Sequence, residues 1–248
     1  MIYKYITEEY YSKWIGRDEI LHEPLSKVTL LNSQERNVIQ YGYSQQFDVY
    51  IFCRQNSIYF SYGDKALPYI EQIKEHIAST VNEETVKQIV EQSFGKPLKH
   101  SIKYLYTSCK NISSIAIPLK IDEYDKYLEF FKSVHPNCKN TDWVEEYFAE
   151  MVEEGLCCGI YENRLLVSCT DAPSMPYMER EVQEIGINTL PDYRGKGYAA
   201  DVCILAINNI INNNKCPQWS TTIDNIASQK LAERVGFVKF ADAFTITL

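Results

Sequence analysis

Residues 193–199 read Tyr-Arg-Gly-Lys-Gly-Tyr-Ala, with Arg194, Gly195, Lys196 and Gly197 where a strand-like run hands over to an apolar, helix-like one. Two roles suit that composition. One is an ordinary glycine-containing turn before a helix. The other is an anion cradle, because a helix start leaves backbone N–H groups unpaired and carries partial positive charge, which together attract a phosphate. Glycines let a bulky anion approach the backbone and permit torsions that other residues resist. Arg194 and Lys196 would add charge at the rim. Further along, Asp224 and Asn225 stand just before the helix-like run Ala-Ser-Gln-Lys-Leu-Ala-Glu-Arg-Val. Either side chain could cap that helix.

Other reactive residue types form no comparable pattern. His22, His76, His100 and His135 are scattered without metal-ligand spacing, so no metal is expected. The eight cysteines (Cys53, Cys109, Cys138, Cys157, Cys158, Cys169, Cys203 and Cys216) contain no C-x-x-C. They read as reduced cysteines used as small core residues, with the cytoplasm as the default compartment. Cys157 and Cys158, adjacent in a strand-like run, should point to opposite faces.

The chain has 248 residues, enough for one large domain or two modest ones. Its 45% hydrophobic and 23% charged residues are those of a soluble globular protein. A net charge of −8 argues against a nucleic-acid partner, since such a surface repels phosphates except at local basic spots. The N-terminus lacks the apolar core of a signal peptide. No run reaches the ~18 apolar residues that a membrane helix needs, so no membrane partner is expected.

The elements that must position these residues alternate along the chain. Val28 to Leu31 is apolar, and residues 47–53 and 57–62 flank Arg-Gln-Asn as a hairpin. Helical stretches follow at about Leu67–His76 and Glu83–Ser93, then strands at residues 102–107 and 112–119. A boundary near residue 110 would divide an N-terminal α/β region, 1–110, from a second unit, 111–248. The second unit reads strand, helix, helix, three strands, helix, strand, helix, strand, an α/β sandwich of mixed sheet and helices. Residues 182–189 read as a single strand before the glycine loop.

Two motifs in the right order now carry a resemblance. The loop matches R/Q-x-x-G-x-G/A at Arg194, Gly197 and Ala199. Downstream, N-x-x-A/S-x-x-L followed by G-F is matched by Asn225, Ser228, Leu231, Gly236 and Phe237. In both, the chain resembles the GNAT superfamily of N-acetyltransferases, which use acetyl-CoA. The resemblance covers about residues 111–248 and is most specific from Glu184 onward. It implies a GNAT-like mixed sheet flanked by helices, preceded by a smaller N-terminal α/β domain such as some members carry.

The resemblance also implies roles. Backbone amides of Arg194, Gly195, Lys196, Gly197, Tyr198 and Ala199 would cradle the CoA pyrophosphate. The strand ending at Thr189 and the strand starting near Trp219 would splay to admit the pantetheine arm. A backbone N–H among Ile187, Asn188 and Thr189 would polarise the thioester carbonyl. Asn225 and Ser228 would contact the cofactor arm, with the capping role of Asn225 left open beside it. Transfer to an amine needs a base, and Glu184 or Glu181 would supply it. Three residues apart, they face opposite sides of a regular strand, and Glu184 is favoured.

The chain departs from the family at Ala232, where many members carry a tyrosine that protonates the leaving thiolate. A tyrosine from elsewhere, water, or direct loss of the thiolate would then serve. The expected activity is transfer of an acetyl group from acetyl-CoA to a primary amine of a small molecule or protein. A non-catalytic CoA-binding sensor and a transferase of larger acyl groups are the alternatives. The N-terminal region would supply a wall of the acceptor site or an oligomer contact such as a homodimer's.

Overall fold

Two pairs of left-handed residues turn the chain back on itself. Gln55 and Asn56 have φ of 49° and 65°, and Asn163 and Arg164 have φ of 52° and 71°. Consecutive left-handed residues make a two-residue turn whose twist matches the strands it joins, and each pair closes an antiparallel hairpin. The computed structural model describes residues 2–23, 28–80, 82–108 and 114–248.

The first half runs α1 (Ile2–Ile15), β1 (Val28–Asn32), β2 (Val49–Arg54), β3 (Ser57–Tyr62), α2 (Leu67–Ser79), α3 (Glu83–Phe94) and β4 (Lys99–Tyr106). Next come β5 (Ile117–Pro118), α4 (Tyr124–Val134), α5 (Val144–Glu153), β6 (Cys158–Glu162) and β7 (Leu165–Asp171). The chain closes with β8 (Val182–Glu184), β9 (Gly186–Thr189), α6 (Tyr198–Asn212), β10 (Cys216–Thr222), α7 (Ile226–Arg234) and β11 (Phe237–Ile246). The result is a mixed α/β fold with mixed sheets flanked by helices, the class that the element order predicts.

Among the described residues the strands form two sheets. Seven follow the order β1-β3-β2-β11-β4-β10-β8, and four the order β5-β6-β7-β9. The larger sheet interleaves the two halves of the sequence: β4 lies between β10 and β11 and is antiparallel to both. The boundary expected near residue 110, like Cys109, falls in 109–113, outside the described residues.

Both faces of the larger sheet are covered. Along β2, Val49, Ile51 and Cys53 pack with Ile70, Ile73, Val86 and Val90 of α2 and α3. Tyr50 and Phe52 point the other way, into Tyr10, Tyr11 and Trp14 of α1. That alternation is the period of two of a strand buried on both faces. Farther along the sheet, Ile102, Tyr104 and Tyr106 of β4 pack with Ile204 and Ile207 of α6 and with Trp219 and Phe237. In the smaller sheet Cys157 faces Phe148 and Met151 of α5, while Cys158 faces Val202 and Ala206 of α6.

Three elements differ from the sequence reading. α1 was not anticipated, because its buried face is built from Thr7, Tyr10, Tyr11 and Trp14 rather than a stripe of aliphatic residues. The strand expected over 112–119 is reduced to Ile117–Pro118, with 112–113 outside the described residues. Most consequential is the run 182–189, which is two strands. β8 pairs in parallel with β10 in the large sheet, whereas β9 pairs antiparallel with β7 in the small one. Gly186 permits the change, since a Cβ there would lie 2.8 Å from the Asp171 Cβ.

Candidate active site

The strand switch at Ile185 opens a cleft. The β8–β10 pairing ends at Glu184 and Gln218, and Ile185 donates a last backbone bond to the Gln218 carbonyl at 3.2 Å. Beyond that point β9 leaves with the other sheet, of which it is an edge strand. The backbones of β9 and of the second half of β10 therefore diverge. Between them lies a cleft of about 690 Å³, floored by Ile187 and Trp219 and closed by the starts of α6 and α7.

At its outer end, Gly195 and Gly197 take φ of 76° and 90°, the left-handed region that glycine enters without strain. Gly197 forms the N-cap of α6. The backbone amides of Gly195, Lys196, Gly197, Tyr198 and Ala199 meet no acceptor among the described residues. They stand at the positive end of a 15-residue helix. This is a site with the means to hold an anion.

The neighbouring bases do different things. Arg194 donates from Nε to the Thr189 carbonyl at 3.2 Å, tying the loop to the end of β9 while its head stays at the cleft wall. Lys196 turns away: Nζ donates to both Glu162 oxygens at 3.1 Å and lies 4.7 Å from the Tyr193 ring centre. Its bond to Glu162 raises its pKa, and the hydroxyl of Tyr198 donates to the same carboxylate at 2.6 Å.

Across the cleft, the Asn225 side chain accepts from the Ser228 amide at 3.1 Å, so Asn225 does cap α7. The Ser228 hydroxyl accepts from Trp219 Nε1 at 3.1 Å, fixing the indole under the cleft. Ile187, Asn188, Thr189, Arg194, Gly195, Gly197, Tyr198, Ala199, Asn225 and Ser228 all line the cleft; Lys196 and Glu181 do not. Glu181 is exposed and precedes β8.

Glu184 sits at the inner end. It is half-buried on the sheet face under α1, and its carboxylate accepts a hydrogen bond from the hydroxyl of Ser220, which lines the cleft. Burial pushes the hydroxyls of Tyr10, Tyr11 and Tyr43 to higher pKa, and the nearby Glu184 charge pushes them further. Tyr10 and Tyr11 belong to α1, on the carboxylate's side of the sheet. Chemically, the arrangement can receive an anion at one end and a proton at the other.

Sequence reasoning missed Ser220 and the three tyrosines. Alternation of Gln218, Ser220 and Thr222 along β10 was the available signal for the first. Nothing local marks the tyrosines. Ala232 is 0% exposed and packs in the cluster holding Trp219, Tyr104 and Phe237. A tyrosine there would not reach the cleft without displacing those rings.

With this geometry in hand, the family model described as GNAT acetyltransferase matches residues 42–246. The chain therefore belongs to the GNAT acetyltransferase family, and the match starts well before the region that the motifs alone covered. A GNAT-family acetyltransferase from Colwellia psychrerythraea shares the fold, with a TM-score of 0.53 and 14% identity over 80% of this chain and 81% of that one. More distant in shape are two smaller proteins. One, from Streptococcus pneumoniae, is an acetyltransferase of the GNAT family with a TM-score of 0.43 and 13% identity over 53% of this chain and 95% of that one. The other, from Salmonella typhimurium, is described as an acetyltransferase with its cofactor acetyl-CoA; its TM-score is 0.44, with 14% identity over 55% of this chain and 95% of that one. No curated protein matches the chain. Among the described residues, no helix is long and apolar enough to cross a membrane.

Proposed function

We propose that the protein transfers the acetyl group of acetyl-CoA to a primary amine. The observation that carries this reading is the cleft itself, with unpaired amides at the α6 start and the Ser220–Glu184 pair at its opposite end. The amides of residues 195–199 would bind the pyrophosphate. The open edge of β9 offers backbone groups to the amides of the pantetheine arm, and Trp219 supplies an apolar floor. A β9 amide facing the cleft would donate to the thioester oxygen as negative charge develops there.

Glu184 would take the acceptor's proton as nitrogen attacks the carbonyl carbon and the C–S bond breaks. Ser220 holds that carboxylate in one orientation. No side chain stands at Ala232 to protonate the thiolate, so solvent in the open cleft does so. The first half of the chain brings the hydroxyls of Tyr10, Tyr11 and Tyr43 within reach of the Glu184 charge, which supports an acceptor-side role for it.

Ligand-dependent melting tests the reading. Acetyl-CoA and CoA should each stabilise the native protein by about 2.7 kcal/mol at a hundredfold excess over Kd. For a chain of this size the melting temperature should rise by roughly 5–10 °C, at ~2–4 °C per kcal/mol. No rise at millimolar acetyl-CoA would overturn the proposal. Thiol release across a panel of amines then identifies the acceptor. A melting shift without thiol release for any amine would instead favour a CoA sensor, and a panel of acyl-CoAs distinguishes acetyl from larger groups.

A further inference from the structure

One amine stands next to the cleft, although it is not part of the lining. Lys103 on β4 is directly opposite Ser220 on β10 and Ala241 on β11. Directly opposed residues in an antiparallel pair project from the same face. Glu184 is in register with Gln218, two residues before Ser220, so it shares that face as well. The face is the one under α1, since Gln218 Nε2 donates to Thr7 Oγ1 at 3.1 Å. The Lys103 side chain thus rises beside Ser220, whose hydroxyl touches Glu184 and whose surface lines the cleft.

Among the described lysines, Lys103 is set apart by burial rather than by pairing. Lys74, Lys87, Lys126, Lys196, Lys215 and Lys239 are held by carboxylates. The Lys103 ammonium has no hydrogen bond or ion pair among the described residues. Burial pulls its pKa down, and the charge of Glu184 opposes that pull only in part. A lowered pKa enlarges the neutral, nucleophilic fraction of an amine.

We propose that Lys103 is an acceptor within the protein and becomes acetylated at the protein's own site when no other acceptor is present. This rests on the acetyl-CoA reading of the cleft. Lys103 Nζ forms a C–N bond with the carbonyl carbon, and the C–S bond breaks with its electron pair leaving on sulfur. The proton lost from nitrogen passes to Glu184 and then to solvent, and the thiolate takes a proton from water. The products are N-acetyl-lysine and CoA. Resonance makes the new amide a poor acyl donor, so the modification is an end point rather than a relay. It removes the cation facing Glu184 and places a bulkier group where an acceptor would approach.

The test is mass analysis of the full chain after incubation with acetyl-CoA alone. The expected result is gain of a single acetyl group on the peptide containing Lys103, at a rate independent of protein concentration. Lys103→Arg should lose that gain yet keep the acetyl-CoA melting shift, and Gly197→Val should lose both. If acetyl-CoA raises the melting temperature and Lys103 stays unmodified, this proposal fails and the cofactor reading stands. Labelling of exposed Lys132 and Lys139 as fast as Lys103 would also overturn it, by revealing solution chemistry. Absence of any melting shift would overturn both. The wild-type digest decides the matter even if Lys103→Arg does not fold.

Discussion

The Glu184 carboxylate is where side-chain chemistry meets the cleft, and its contact with Ser220 connects the two. Glu184→Gln keeps the shape and removes the proposed base, so turnover should fall about 10²–10⁴-fold while the acetyl-CoA melting shift persists. Wild-type turnover across pH would exclude Glu184 as the base and direct attention to a water chain in the cleft. Ala232→Tyr places a ring in a cluster with no room for it. It should cost about 1–3 kcal/mol in a denaturant titration and bring no gain in turnover, as overpacked cores do. Lys103 makes a statement about pH. Because its native pKa is lowered, the unfolded chain binds the proton more readily. The resulting cost is absent above about pH 10.4, grows as pH falls toward the lowered native value, and is constant below it. Compared with Lys103→Met, the wild-type protein should therefore gain relative stability as pH rises through that window. A stability difference that does not change with pH would show that Lys103 titrates alike in both states.

At the scale of elements, the site depends on two helix starts and one strand that changes sheets. The α6 start depends on Gly197, whose φ of 90° is hard for other residues to adopt. A Cβ there would meet only Arg234 Nη2, at 3.7 Å, so the obstacle is torsional rather than steric. Gly197→Val should abolish the acetyl-CoA melting shift while the unliganded protein still folds, since a branched residue reshapes the loop that presents the amides. Arg194→Ala should weaken the shift and leave part of it, because the amides remain. A full shift in Gly197→Val would remove the loop from the binding site.

For the whole molecule, the central fact is that β4 joins the two halves. Its Ile102, Tyr104 and Tyr106 complete the core under α6, and its backbone bridges β10 to β11. Burying three such side chains contributes roughly 5–9 kcal/mol at about 1.5–3 each. That rivals the ~5–15 kcal/mol net stability of a typical protein. Residues 114–248 made alone should accordingly lack a cooperative melting transition and aggregate through the edges left open on β10 and β11. Co-expression with residues 1–108 should restore a soluble complex. A cooperative melt of the shorter chain by itself would show that its sheet can close without β4.

Signals that act over a few residues were legible from the sequence alone. The Arg-Gln-Asn turn marks the first hairpin, Asp224 and Asn225 mark a helix cap that the structure assigns to Asn225, and paired glycines mark the loop before α6, because each rests on torsions and hydrogen bonds within one turn. The motifs around Arg194 and Asn225 also pointed to the right superfamily. Tertiary structure alone decided the rest. Whether residues 182–189 make one strand or two depends on which partners stand on either side, β10 for the first half and β7 for the second. The placement of β4 beside β11 joins residues more than half the chain apart, and no local propensity encodes such a pairing. Lys103, Ser220 and Glu184 come from three separate strands, and only their register in one sheet brings them to the same face. Strand pairing over such separations is settled by how the whole core packs, and the packed core is a property of the folded chain rather than of any segment in it.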